Sequence, residues 1–409
     1  MTNRLPALDL IRGVAVLGIL AINIAGFSGP MAGTISPALT GTVTRISSAY
    51  DTLAFAASLV LFEGKMRALF SLLFGAGIVL FWQSAEARGL NGDVQQVRRL
   101  SWLLLFGLLH YLFLWWGDIL FVYALCGLAA LTLRPLSESR LIIVALALYY
   151  GWHLWGLFEI APLVRAETAV RIGVASPQQA EAVRHWLEGM QAGVLEDMAE
   201  ARLGFTDLLL TKLADRPLWL FGMAWNIFSE TLPLMLLGMV MVRRGFFDPT
   251  RARRLKWTIA ITCTAGGLGL SAAFAIWAAQ RGFPPIAMLA AMSWGLVMPH
   301  LLTALGYAAL LVLATPTLSR SFLGQRLIAA GRMAFSNYLA TSLVMTALFY
   351  GWGLGLFARY GPAAQWLFVI PCWLAMLIWS APVLRHFRRG PLEWLWRALV
   401  EGDWHSNRI

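Results

Sequence analysis

The chain has 409 residues, 59% of them hydrophobic and only 13% charged. Its mean hydropathy of +0.68 excludes a water-soluble globule, and the apolar runs lack the period-2 alternation a membrane barrel needs. The net charge of +11 does not point to nucleic acid, because most of the basic residues sit in short loops beside apolar runs, where lipid headgroups are the partner. Cys126, Cys263 and Cys372 lie within apolar runs without CxxC spacing, so they read as small core residues and not as a disulfide or a metal site.

The fold expected is an all-α polytopic membrane protein with about ten spans. They fall near 8–27, 66–83, 100–116, 119–133, 141–160, 218–242, 257–279, 291–314, 334–357 and 364–384. With the N-terminus cytoplasmic, the basic loops 84–99, 134–140, 243–256 and 315–333 and the tail fall inside. The outward loops 28–50, 280–290 and 358–363 carry one basic residue each, so both termini are expected in the cytoplasm. Two segments interrupt the zigzag. Residues 51–65, DTLAFAASLVLFEGK, are apolar but short and predict a re-entrant or interfacial helix. Residues 161–217 predict a periplasmic insertion of one or two amphipathic helices, with Ser176 and Pro177 as a helix start. Residues 390–409 contain GPLEWLWR and predict an amphipathic cytoplasmic tail helix, and residues 1–400 read as a single membrane-embedded domain.

Polar residues inside apolar runs are the functional candidates, because ionisable groups at hydrocarbon depth are costly. In LDLIRGVAVLGILAINIAGF, Asp9, Arg12 and Asn23 share one helical stripe. A snorkelling pair with a packing amide accounts for them, and so does a cavity wall, which the shared stripe favours. In GLLHYLFLWWGDIL, His110 lies within a span while Gly117 and Asp118 form a tight reversal. Capping of the next helix suffices to explain Asp118. Imidazole is the usual base near neutral pH, so His110 is a catalytic candidate, whereas His153 and His300 read as structural. Eight residues of helix rise about 12 Å, so contact between His110 and Asp118 requires the chain to fold back. In GRMAFSNYLATS, Arg332 is placed to meet a phosphate, and Ser336, Asn337 and Tyr338 bring hydrogen-bonding groups into the first turn of a span. Lys65 and Arg67 in FEGKMRALF are set to clamp an anion or to snorkel.

Taken in order, LDLIRG with Asn23, FEGKMRALFSLLFGAG, GLLHYLFLWWGDIL, GRMAFSNYLATS and GPLEWLWR resemble the YeiB-like family of bacterial inner-membrane proteins, over residues 5–400. That resemblance implies a bacterial inner-membrane location and kinship with a transmembrane acyltransferase superfamily that includes lysosomal heparan-glucosaminide N-acetyltransferase. Those relatives also begin with a DxxRG helix, here Asp9 to Gly13. The implied activity is transfer of an acyl group from cytoplasmic acyl-CoA to a glycan or lipid acceptor on the far side. The lysosomal relative carries its catalytic His shortly after the first span, and SGPMAGTISPALTG here has none, so the base moves to His110 on chemical grounds.

The expected chemistry places CoA phosphates on Arg332 with Arg12 or Lys65, His110 as base or acyl carrier, Asn23 at the developing oxyanion, and Asp118 orienting the acceptor or His110. No metal enters. The alternative is a transporter in which Asp9, Arg12, His110 and Asp118 form a proton or anion relay. The partners expected are membrane lipids and the acceptor, and the sequence leaves open whether the chain forms a homo-oligomer.

Overall fold

A computed structural model describes residues 5–40, 48–404 and 406–409. Among the described residues, seventeen α-helices are joined by turns and short loops, and the only β-type pairing is an isolated bridge between Phe387 and Arg408. Among the described residues, seven helical segments are long and apolar enough to cross a membrane: Pro6–Ser28, Ala49–Glu86, Glu138–Arg171, Trp219–Arg243, Arg253–Gln280, Val297–Leu318 and Pro362–His386. The protein is a polytopic helical membrane protein. In chain order the helices that build its centre and site are α1 (Pro6–Ser28), α2 (Met31–Ile35), α3 (Ala49–Leu61), α4 (Lys65–Glu86), α5 (Gly92–Phe113) and α6 (Leu120–Leu133). They continue as α7 (Glu138–Arg171), α8 (Pro177–Glu200), α9 (Phe205–Asp215), α10 (Trp219–Arg243), α11 (Arg253–Gln280) and α12 (Pro285–Ala290). The last five are α13 (Val297–Leu318), α14 (Phe322–Arg332), α15 (Ala334–Phe349), α16 (Pro362–His386) and α17 (Pro391–Glu401).

Burial separates centre from rim. The most apolar windows of α1, α10 and α13 are 61%, 67% and 56% buried, whereas those of α7, α11 and α16 are 28%, 22% and 22% buried. The rim helices therefore turn most of their apolar surface outward, as a lipid-facing helix must. In the centre, backbones approach through glycine. A Cβ on Gly75 of α4 would lie 1.9 Å from the Met235 carbonyl oxygen of α10, and one on Gly238 of α10 would meet the Leu72 oxygen of α4 at 1.9 Å. Gly13 of α1 and Gly331 of α14 make the same close crossing, with gaps of 2.0 Å to the Leu327 oxygen and 1.8 Å to the Asp9 oxygen. Small residues at such crossings are how helices pack where no hydrophobic force distinguishes helix from lipid.

The expected spans each contain a helix, with shifted ends. α5 is longer and more polar than expected, starting at Gly92 where Asn91 caps it through Val94 N–H at 3.0 Å. α7 runs past 160 to Arg171, and Glu167 near its end caps α12 by accepting the Ile286 and Ala287 N–H groups at 3.0 and 2.9 Å. α15 stops at Phe349 and not at 357, because the following stretch contains Gly351, Gly353 and Gly355, the last at φ +62°. The segment expected to be re-entrant is α3, which ends in a short turn through Gly64 at φ +70° before α4 begins. In 161–217 the chain forms the end of α7, then α8 and α9, and the Ser176 start is a full capping box with Gln179.

Candidate functional site

The α5–α6 reversal brings together the two residues whose meeting the helical rise alone forbids. α5 ends at Phe113, the chain turns through Gly117, and Asp118 returns beside His110. His110 Nδ1 and Asp118 Oδ2 lie 2.7 Å apart, and neither side chain is exposed. Asp118 Oδ1 accepts the Phe121 N–H at 2.7 Å. Capping and pairing are therefore both present, one on each carboxylate oxygen. A hydrogen bond of this kind orients the imidazole and selects its tautomer. His110 Nε2 is buried without a hydrogen-bond partner, and the ring lies 5.1 Å from that of Tyr338.

Two cavities flank this reversal. The first, of about 270 Å³, is lined by Arg12 of α1, Arg99 of α5, Arg332 of α14, and Glu393 and Trp396 of α17. The second, of about 220 Å³, is lined by Asn23 of α1, Glu63, Arg67 of α4, Trp115, Trp116 and Asp118. Ile19, Ile119 and Tyr338 line both, so these side chains stand in the wall between them. His110 lines neither cavity; it sits behind Tyr338 and holds Asp118, which lines the second.

The first cavity is cationic for structural reasons that can be read residue by residue. Arg12 is paired with Asp9 at 3.0 Å but keeps 32% of its side chain exposed. Arg99 has no carboxylate partner among the described residues; its guanidinium lies over the rings of Trp396, Phe81 and Phe74 at 4.9, 5.1 and 5.5 Å. Aromatic faces stabilise a cation without neutralising it. Arg332 ends α14 and donates to the Arg388 carbonyl at 3.1 Å. Glu393 is committed elsewhere. Its Oε1 accepts the Phe335 and Ser336 N–H groups at 2.8 and 3.0 Å and its Oε2 accepts the Ser336 hydroxyl at 2.5 Å, so α17 caps α15 from outside. Burial pushes the Glu393 carboxyl up, and the hydrogen bonds from Ser336 oppose that shift. Three guanidinium groups line the cavity, Arg12 among them paired with Asp9, and the one lining carboxylate is itself taken up as a cap, which leaves the cavity suited to an anion.

The remaining sequence candidates divide. Asn23 lines the second cavity and Asp9 lines neither. Lys65 is fully buried away from both, donating to the Leu59 carbonyl at 2.8 Å, so it ties α3 to α4 and does not clamp an anion. Arg67 lines the second cavity but is held by Glu230 of α10, through Nε at 3.0 Å and the terminal nitrogen at 2.7 Å. Ser336 belongs to the Glu393 cap. Asn337 knits three helices, donating to the Ala330 carbonyl and Ser380 and accepting from the Trp379 indole at 2.8 Å. Tyr338 lines both cavities and its hydroxyl reaches the Gly117 carbonyl at 3.4 Å.

Sequence reasoning passed over Arg99, Glu63, Glu230 and Glu393. Glu230, in the apolar run WNIFSETLPLMLLG, carried the same signal as His110, an ionisable group inside a span. Arg99 was hidden among positive-inside loop residues, and nothing in one dimension separates it from Arg98.

The family described as "Protein of unknown function (DUF418)" matches residues 241–403. An uncharacterized protein YeiB of Escherichia coli (strain K12) is 34% identical over 97% of this chain and 96% of its own length. An uncharacterized protein YxaH of Bacillus subtilis (strain 168) is 31% identical over 99% of this chain and 96% of its own. An uncharacterized 39.9 kDa protein of Bacillus acidopullulyticus is 26% identical over 98% of this chain. No solved structure matches the chain.

Proposed function

The chain belongs to the YeiB-like family, and from its own cavities we propose that it is an integral-membrane acyltransferase of the bacterial inner membrane, with both termini cytoplasmic. The observation that carries this reading is the pair of cavities of opposite character sharing the wall of Ile19, Ile119 and Tyr338. A transferase that works across a membrane needs a donor on one side and an acceptor on the other, meeting over a short distance. The phosphates of an acyl-CoA suit Arg12, Arg99 and Arg332, since guanidinium groups bind phosphate oxygens through paired charged hydrogen bonds. The acceptor, a hydroxyl or amine of a glycan or lipid, would enter the second cavity. There Asn23 is the donor for the developing oxyanion and Asp118, held by His110, orients the acceptor.

The test is direct. Purified protein is incubated with radiolabelled acetyl-CoA and with lipid and glycan acceptors. Transfer by the wild type, lost in His110→Ala and reduced in Arg332→Gln through donor affinity, supports the reading. No transfer to any acceptor by folded wild-type protein would remove it.

The same wall, shared by two cavities that each hold charged side chains, also suits a transporter with alternating access. Uptake by proteoliposomes that depends on a proton gradient and fails in Asp9→Asn, with no acyl transfer, would decide for that class.

A further inference from the structure

Three carboxylates border or support the second cavity, and among the described residues only Glu63 is without an ion pair; Glu230 keeps its Oε1 without a partner but is paired with Arg67 through Oε2. Asp118 has both oxygens occupied, by His110 and by the Phe121 N–H. Glu230 lies behind Arg67 and receives both of its hydrogen bonds on one oxygen. Glu63 lines the second cavity and also a smaller one of about 50 Å³ beside it. Among the described residues its carboxyl group has no side-chain hydrogen bond or ion pair; only the adjoining Gly64 N–H turns toward it. The turn is fixed. Gly64 takes φ +70°, and a Cβ there would lie 2.0 Å from His300 Nδ1 of α13, so no side chain can be added and the Glu63 position is held from behind. The charges that act on Glu63 are those of Arg67 and Lys65 of α4 and Glu230 of α10. Both cations are already engaged, Arg67 with Glu230 and Lys65 with the Leu59 carbonyl.

An unpaired carboxyl group at this depth needs a proton or a ligand, because hydrocarbon and protein offer it little solvation. We propose that Glu63 is the proton acceptor of the second cavity and, resting on the acyl-transfer reading, the catalytic base for the acceptor group. The acceptor O–H or N–H attacks the thioester carbonyl carbon of the donor. The new C–O or C–N bond forms, the C–S bond breaks, and CoA leaves as thiolate. The acceptor's proton passes to the Glu63 carboxylate and is then returned to the thiolate or to water, which restores the base. Asp118 and His110 are positioning residues in this scheme, since His110 does not reach the cavity.

Two measurements test it, and they fail separately. Dicyclohexylcarbodiimide is an apolar reagent that reacts with protonated carboxyl groups; after treatment of the purified protein, peptide mass spectrometry is expected to find the adduct on Glu63 and not on Asp118 or Glu230. This readout does not depend on acyl transfer. Absence of the adduct on Glu63, or equal labelling of all three, would overturn the assignment. In the transfer assay, Glu63→Gln is expected to lower kcat at least about 100-fold with the KM for acyl-CoA unchanged, and to flatten the acidic limb of the pH profile. Glu63→Asp, which keeps the charge, is expected to recover part of the rate. If the wild type transfers acyl groups and Glu63→Gln does so at a similar rate, the enzyme stands and Glu63 is not its base. If the wild type transfers nothing, the enzyme reading falls, and the carbodiimide result alone decides whether Glu63 exchanges protons.

Discussion

The two cavities use the same kinds of side chain to opposite effect. In the first, ring faces support Arg99 and leave its charge in place, while Arg12 is paired with Asp9 and Arg332 donates to the Arg388 carbonyl. In the second, Arg67 is matched by Glu230, and the groups left to face the space are Glu63, Asn23 and a His-paired Asp118. An arginine count would call both cavities cationic; the partners decide otherwise. The lesson is that a charged residue in a membrane protein acquires its role from what it is not bonded to.

The largest effect is expected at Asp118. Under the proposed acyl transfer, Asp118→Asn keeps the shape but replaces the carboxylate that holds His110, and is expected to slow the transfer about 100-fold while leaving affinity for CoA at the first cavity unchanged. Steady-state rates and calorimetric titration with CoA check the two halves separately. Next in size is Gly331→Ala. Its methyl group would fall 1.8 Å from the Asp9 carbonyl oxygen, so α14 must move off α1. A destabilisation of about 1–3 kcal/mol is expected. Because Arg12 and Arg332 sit on those two helices, CoA binding should weaken with it. Melting in detergent, read by size exclusion after heating, measures the first effect. Smaller still is Arg99→Gln. Losing one charged hydrogen-bond donor costs about 1.5 kcal/mol, roughly tenfold in CoA affinity, with no change in the pH profile of the transfer step.

Much of the fold was legible because hydrocarbon imposes length and composition on every crossing. α1, α4, α10, α11 and α16 match their expected runs closely, whereas α13 runs from Val297 to Leu318, displaced from the expected 291–314. The misjudged ends are those where sequence composition and chain direction part company. α7 stays helical beyond its apolar run because Glu167 is needed as a cap for α12, a partner 119 residues away. The site was half legible. His110, Asp118, Asn23, Arg12 and Arg332 stand out as polar groups in apolar context, and the structure brings them to the walls of two neighbouring cavities or to the reversal between them. Lys65 and Arg67 look equivalent in FEGKMR, yet being two residues apart on a helix they point to different sides, and one is consumed by the Leu59 carbonyl. Periodicity can separate their directions but cannot name their partners.

The smallest effect probes the closed end of the α5–α6 hairpin that carries the His110–Asp118 pair. Lys212 of α9, which lies outside the membrane-length helices, inserts its ammonium against the last turn of α5. It donates to the Tyr111 carbonyl at 2.8 Å and the Leu112 carbonyl at 3.4 Å, where a cation meets the negative end of the helix. Burial pushes its pKa down to about 8 from 10.5, with Glu200 opposing the shift. The folded protein therefore gives up this proton before the unfolded chain does. Between about pH 8 and pH 10.5 the unfolded chain binds more protons at this site, so the contribution of Lys212 to stability rises with pH across that window and is flat on either side. Lys212→Met keeps the length and removes the titration. The difference in melting temperature between wild type and Lys212→Met, followed from pH 8 to pH 10.5, is expected to move in favour of the wild type. A difference that stays constant across the window would mean that the ammonium is fully solvated and that α9 does not seal the end of α5.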